Sequence, residues 1–125
     1  MRISIALLLA LATGAHCFIC PYGALNYPDS NTQHACERHK ADFGYTGSCA
    51  GAGLKTYREI LMKFEFQKAD KCCKGRYKLQ EAIIVYQQSS KLAIIGDPTR
   101  TNTIISGWKL GDAQYQNVVT SCSLT

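Results

Sequence analysis

The chain has 125 residues, 46% of them hydrophobic, with seven cysteines and a formal net charge of +5. This length fits one compact domain, and no internal repeat, low-complexity tract or linker divides it. Beyond the first 17 residues no apolar stretch is long enough to cross a bilayer, so no transmembrane helix is predicted there.

The N-terminus has the three parts of a secretory signal peptide. Met1-Arg2 supplies a positive charge, residues 3–12 are apolar and uncharged, and small residues follow up to Ala15. We therefore expect a signal peptide over residues 1–17, cleaved after Ala15 or after Cys17. Residues 18–125 then form a single secreted domain.

The remaining cysteines predict disulfide bonds, as in other small exported domains. They are Cys20, Cys36, Cys49, Cys72, Cys73 and Cys122. Neighbouring cysteines rarely bridge each other, so Cys72 and Cys73 are expected to reach two different partners. Cys17 and Cys20 have a C-x-x-C spacing, but no histidine is placed to complete a zinc tetrad with them.

The first half of this domain contains one predicted helix. Residues 18–27, rich in aromatics, indicate a short edge strand, and Ser30 with Gln33 has the spacing of a capping box. A helix is therefore predicted over residues 31–43, ended by Gly44. Residues 45–53 predict a loop.

Residues 54–67 fit two patterns. A helical period runs through Tyr57, Leu61 and Phe64, whereas apolar and polar residues alternate over 62–67. We predict a strand at residues 62–67, leave 55–61 open, and predict a polar loop over 68–75.

The second half indicates a sheet. Residues 76–86 and 91–95 are rich in Ile, Val and Tyr and flank a polar turn at 87–90, which predicts a central β-hairpin. Further strands are predicted at 103–110 and 115–122. The fold class is α+β, with one N-terminal helix packed on a twisted antiparallel sheet of four to five strands stapled by disulfides.

A basic strip precedes and enters the hairpin. It comprises Lys63, Lys68, Lys71, Lys74, Arg76 and Lys78. Phe64, Phe66 and Tyr77 are interleaved with these cations, a pattern found on surfaces that bind single-stranded nucleic acid. The strip is a candidate nucleic-acid or partner surface; the alternative is a solvated strand edge whose aromatics point into the core.

The sequence offers little for catalysis. Outside the signal region the only histidines are His34 and His39, and a five-residue spacing places them about 140° apart around a helix. They are poor co-ligands for a metal. No catalytic residue, cofactor site or metal site is predicted.

The hairpin and the terminal cysteines resemble a known family. Residues 82–86 and 92–95 match in pattern the central hairpin of the small secreted fungal guanyl-specific ribonucleases. Phe18-Ile19-Cys20 and Cys122 match the family's first and last cysteines, and the resemblance implies a bridge between Cys20 and Cys122. The frame is also similar to the RNase-like effectors of powdery-mildew fungi, which pathogens use against plants.

Departures from the enzymes' pattern favour the effector branch. Gly96-Asp97-Pro98 stands where the enzymes have a histidine, and Glu81 or Ala82 stands in place of their central arginine. The resemblance thus implies a pseudo-ribonuclease without activity. It would be a secreted virulence effector, free of metal and membrane, that binds a host protein such as an immune receptor, or host RNA, outside or inside the host cell.

Two alternatives remain open. The chain could be a disulfide-rich extracellular toxin or inhibitor whose lysine-rich strip contacts a membrane or a target. It could also be an active secreted ribonuclease with rearranged catalytic residues.

Overall fold

The computed structural model describes residues 17–125. Its helices are α1 (Asp29–His39), α2 (Ala52–Lys63) and α3 (Asp112–Ser121); a 3₁₀ turn (Lys40–Phe43) follows α1, and a π-helical turn (Phe64–Lys68) follows α2. Its strands are β1 (Lys71–Tyr77), β2 (Gln80–Tyr86), β3 (Leu92–Asp97), β4 (Thr103–Lys109) and β5 (Ser123–Leu124).

The strands form one five-stranded sheet in the order β4-β3-β2-β1-β5. Neighbouring strands are antiparallel, except that the short β5 runs parallel to β1. The predicted α+β class and the strand number are confirmed. The predicted single helix is incomplete, since the described residues contain three α-helices.

The core lies on both faces of the sheet. Ile83 and Val85 of β2 belong to the cluster that α1 and α2 cover, whereas Ala82, Ile84 and Tyr86 belong to the cluster beside α3. Successive strand residues point to opposite faces, so a run without polar alternation is what a doubly covered strand requires. The predicted central position of this hairpin is confirmed, but its first strand begins at Gln80 and not at residue 76, because residues 76–77 end β1 and residues 78–79 form the turn between β1 and β2.

Three predicted elements in this region are wrong. Residues 62–67 end α2 and form the π-helical turn, because the helical period through Tyr57, Leu61 and Phe64 buries those three side chains. Residues 71–77 form β1 in place of the predicted loop. Residues 112–121 form α3 in place of a last strand; at its start the Gly111 amide donates to the Gln114 side chain at 2.9 Å, which is one half of a capping box.

The first helix is confirmed with shifted ends. It starts at Asp29 after Pro28, so Ser30 lies inside the first turn and is not the N-cap. Gly44 ends the 3₁₀ turn with a φ of 76°, a conformation that glycine adopts readily. The predicted edge strand at 18–27 is reduced to one parallel bridge between Asn26 and Thr103.

The disulfide pairing differs from the one that the ribonuclease resemblance implied. All six predicted cysteines are bonded, as Cys20–Cys72, Cys36–Cys49 and Cys73–Cys122. Cys72 and Cys73 do reach different partners, as predicted. The implied Cys20–Cys122 bridge is wrong, because the adjacent cysteines on β1 point to opposite faces and each takes one of the two terminal cysteines.

Residues 1–16, which include nearly all of the expected signal peptide, lie outside the described residues. Cys17, at the edge of the described part, is a free cysteine. Among residues 17–125 no helix combines the length and the apolar character needed to span a membrane.

A buried carboxylate fixes the segment before α1. Glu65, in the π-helical turn, is 2% exposed and accepts hydrogen bonds from the Leu25 amide at 2.8 Å and the Tyr27 hydroxyl at 2.6 Å. Burial raises the pKa of Glu65 to about 7, although both hydrogen bonds act to lower it. This carboxyl is therefore easier to bury when it is protonated.

The Cys73–Cys122 and Cys36–Cys49 disulfides close loops of different length and should contribute unequally to stability. Replacing Cys73 and Cys122 by serine opens a loop with a sequence separation of 49, against 13 for Cys36 and Cys49. In the chain-entropy treatment these losses cost about 4 and about 3 kcal/mol. Urea unfolding of the two double variants measures the difference; a greater loss from the shorter loop would contradict the entropic account.

The raised pKa of Glu65 should make stability depend on pH. Since the folded-state pKa lies above the ordinary value of 4.5, its stabilising contribution is complete below pH 4.5 and is lost as pH rises through 7. Glu65→Gln should remove a fall of about 3 kcal/mol in unfolding free energy across this window. Denaturant unfolding at several pH values tests this, and parallel curves for wild type and variant would refute it.

Candidate functional site

A pocket of about 410 Å³ lies where α1, the β1–β2 turn, β4 and α3 meet. It is lined by His34, Arg38, His39, Tyr77, Lys78, Ile105, Ser106, Trp108 and Gln114. Its volume falls within the range of small-ligand pockets. Four of the nine lining residues have basic side chains, and none has a carboxylate.

Helix α1 is held on β4 at both ends. Near its start, the Asn31 amide donates to the Ile104 carbonyl at 3.1 Å. Just after its end, the Asp42 carboxylate accepts from the Lys109 amide at 2.9 Å. These two ties fix the helix against the edge strand, so that His39 comes to lie beside Trp108 with ring centroids 5.6 Å apart.

An irregularity in β4 shapes the pocket wall. Ile95 pairs with Ser106 and Gly96 pairs with Ile104, which leaves Ile105 without a partner in β3. An extra residue of this kind is a β-bulge, which re-aims the side chains around it. Ile105, Ser106 and Trp108 all line the pocket as a result.

The opposite wall comes from the turn between β1 and β2. Lys78 has a φ of 54°, a backbone conformation that is uncommon outside glycine, and its amide donates to the Leu124 carbonyl at 2.6 Å. Its ammonium lies 5.2 Å from the centre of the Tyr77 ring. Tyr77 in turn lies 5.9 Å from Trp108, so the curled sheet brings its two ends together at the pocket.

The two histidines differ in burial. His34 is exposed, whereas His39 is half-buried against the indole of Trp108. An imidazole held by a neighbouring ring and open to a pocket is suited to proton transfer. Arg38 and Lys78 supply fixed positive charge beside it, which suits a phosphate group or a developing negative charge.

The structure divides the predicted basic strip. Lys78 lines the pocket, whereas Lys63, Lys68, Lys71, Lys74 and Arg76 are exposed outside it, on α2, the π-helical turn and β1. Whether those five residues bind a partner stays a prediction. The fold brings His34 and His39 together with Arg38 and Trp108 at the pocket.

Sequence reasoning missed Ser106, Trp108 and Gln114 as site residues. They lie more than 60 residues from His39 in the chain. No local spacing could have joined them to α1. The one usable signal was the capping-box spacing from Gly111 to Gln114, which would have indicated a helix beginning next to the only tryptophan.

A second pocket, of about 370 Å³, is a weaker candidate. Three of its four charged side chains already have partners: Lys91 pairs with Asp112 at 2.6 Å, and Asp42 accepts from the Lys109 backbone amide at 2.9 Å. This pairing lowers the pKa of Asp112, first through the hydrogen bond from Lys91.

Residues 31–118 match the family described as Colicin D, over a range that extends from α1 into α3. The chain belongs to the Colicin D family. Members of this family are bacterial toxin domains. No curated protein matches the chain significantly.

The family assignment corrects the resemblance drawn from the hairpin. This Colicin D domain is not a member of the fungal RNase-like effectors, because the matched region includes α1, α2 and most of α3 as well as the sheet. A short hairpin pattern of Ile, Val and Ala is common to many sheets and does not identify a family. The assignment also removes the basis for a plant-pathogen origin.

The cations of the pocket predict anion binding that Trp108 can report, since it is the chain's only tryptophan. Inorganic pyrophosphate should change its fluorescence saturably, and Arg38→Ala with Lys78→Ala should weaken binding at least tenfold. Lys55→Ala serves as the control, because Lys55 is exposed and lies outside both the pocket and the basic strip. If the fluorescence change has the same midpoint concentration in the double variant as in the wild type, pyrophosphate binds elsewhere.

Proposed function

We propose that this Colicin D domain is an exported toxin that cleaves RNA at the pocket beside Trp108. The observation that supports the activity most directly is that His39, in contact with the Trp108 ring, lines the same pocket as the cations Arg38 and Lys78. Membership of a toxin family supports the toxic role. Three disulfides among the described residues support an oxidising compartment and hence export.

The chemistry of the lining residues favours RNA. The 2′-hydroxyl of RNA is a nucleophile within the substrate, so the protein has only to move protons and hold the phosphate. Aromatic faces such as Tyr77 and Trp108 stack unpaired bases, as single-stranded RNA recognition requires. The same pocket therefore offers groups for both the phosphate and the base.

In the proposed reaction the neutral imidazole of His39 accepts the proton of the 2′-hydroxyl. The 2′-oxygen attacks the phosphorus, and the bond to the 5′-oxygen breaks. Arg38 and Lys78 stabilise the negative charge on the non-bridging oxygens. Protonated His34 supplies the proton to the leaving 5′-oxygen. The products are a 2′,3′-cyclic phosphate and a free 5′-hydroxyl.

This proposal departs from the prediction that the protein is not an enzyme. That prediction rested on histidines missing from an alignment with fungal ribonucleases, and the family assignment replaces the alignment. The absence of enzymatic activity stays a prediction, and an activity measurement decides between it and the proposed cleavage of RNA. Binding of RNA without cleavage would favour the non-catalytic alternative.

His39→Ala should reduce kcat/KM for single-stranded RNA by about 10²–10⁴-fold, the range for loss of a general acid or base. Lys55→Ala should leave it unchanged, because this exposed lysine of α2 lies outside both the pocket and the basic strip. Oligonucleotide cleavage followed by mass spectrometry measures both the rate and the cyclic phosphate.

The proposal fails if cleavage by the purified wild-type domain is absent, or if it persists undiminished in the His34→Ala, His39→Ala double variant. Products ending in a 3′-hydroxyl would exclude the role assigned to the 2′-hydroxyl.

A further inference from the structure

The side-chain amide of Gln114 has a defined orientation in the pocket. Its Oε1 accepts from the Gly111 backbone amide at 2.9 Å and from the Trp108 Nε1 at 3.3 Å. Both partners are donors only, so the atom that faces them must be the amide oxygen and not the nitrogen. The opposite orientation would place donors against donors.

The nitrogen of the same amide is left for a ligand. Gln114 is half-buried and lines the pocket, and its Nε2 donates no hydrogen bond to another described residue. The two N–H donors of this amide are thus available to a ligand in the pocket that Gln114 lines. A group that binds there must offer a hydrogen-bond acceptor.

The surroundings of Gln114 suit the base of a nucleotide. Trp108 and Tyr77 form an aromatic wall, with centroids 5.9 Å apart, and Ile105 adds an apolar surface beside them. Flat aromatic groups bind bases by stacking, while hydrogen bonds to the base edge select among them. The cations of the pocket, Arg38 and Lys78, would hold the attached phosphate.

We propose that Gln114 is a specificity-determining residue, whose Nε2 donates to an exocyclic carbonyl oxygen of the bound base. The inference rests on the proposed action on RNA and deepens it. Uracil, cytosine and guanine each have such a carbonyl oxygen, whereas adenine has none. Adenine carries a donor amino group where guanine carries its O6 carbonyl, and its acceptors are ring nitrogens elsewhere on the base edge. An adenine bound in the pose of a carbonyl base would therefore set donor against donor at Gln114, so the site disfavours adenine.

Binding of nucleoside monophosphates tests the preference without requiring cleavage. Trp108 fluorescence should report tighter binding of UMP, CMP and GMP than of AMP, by about tenfold, the value of one hydrogen bond at a site built to make it. If the domain binds these nucleotides but does not cleave RNA, the proposed reaction fails while the specificity stands. Equal affinity for all four nucleotides, or no binding at all, overturns the inference.

Gln114→Glu removes the Nε2 donor while keeping the acceptor that holds the start of α3. A glutamate at this position can accept from both Gly111 and Trp108, and Glu is the usual residue at the third position of a capping box. The variant should keep the melting temperature of the wild type but lose the preference, bringing the AMP and UMP affinities to within about twofold.

Gln116→Glu is the matched control for the added charge, because Gln116 is an exposed residue of the same helix and does not line the pocket. The added charge acts on all four nucleotides alike, so the ratio of affinities is the readout. If Gln114 contacted the phosphate instead of the base, Gln114→Glu would weaken the binding of all four nucleotides equally, and by more than Gln116→Glu does. That result would overturn the base assignment. An unchanged ratio in Gln114→Glu would do the same.

Discussion

The adjacent cysteines of β1 constrain the whole domain. Because neighbouring residues on a strand point to opposite faces, Cys72 bonds to Cys20 on the side of α1 and α2, and Cys73 bonds to Cys122 on the side of α3. One strand thus ties both ends of the domain to the middle of the chain. At Gly75, between this pair and the turn, a Cβ would lie 1.9 Å from the Cys122 carbonyl oxygen, so the C-terminal segment packs directly on the β1 backbone.

This attachment determines where the pocket forms. β1 continues from the disulfides to Tyr77 and Lys78, and the parallel pairing of β5 with Arg76 and Tyr77 holds that end of the strand. The sheet curls until Tyr77 contacts Trp108 on the far edge strand. The pocket lies between β1 and β4 and therefore depends on this curl. The disulfides on β1 stabilise the packing on both faces of the sheet that maintains the curl.

The elements that the sequence predicted correctly are those whose local pattern agrees with their tertiary surroundings. The β2–β3 hairpin combines β-branched residues with a polar turn and is buried on both faces, so propensity and burial agree. Residues 62–67 failed because alternation of Phe64 and Phe66 suggested a strand, while the π-helical turn buries Phe64 together with the carboxyl of Glu65. The strand predicted at residues 115–122 is also wrong, since these residues lie mostly in α3, which buries Val118 and leaves the adjacent Val119 exposed.

The pocket was beyond prediction because its parts are distant in sequence and individually ordinary. A single histidine, a lysine at a turn and a glutamine in a first helical turn each have common structural explanations. The hydrogen bonds between α1 and β4, the bulge at Ile105 and the curl of the sheet are tertiary features. Only together do they bring those residues into one pocket.

Stability and function draw on different residues in this domain. The burial of Tyr57, Leu61 and Ile94 and the three disulfides stabilise the fold. His34, Arg38 and Lys78 are exposed and contact the core little, and exposed substitutions of this kind commonly change stability by less than about 0.5 kcal/mol. Trp108 and Gln114 differ, since the indole packs against the α3 side of the core and the amide caps α3. A loss of activity at the exposed cations can therefore be interpreted as chemistry, whereas at Trp108 it needs a stability measurement beside it.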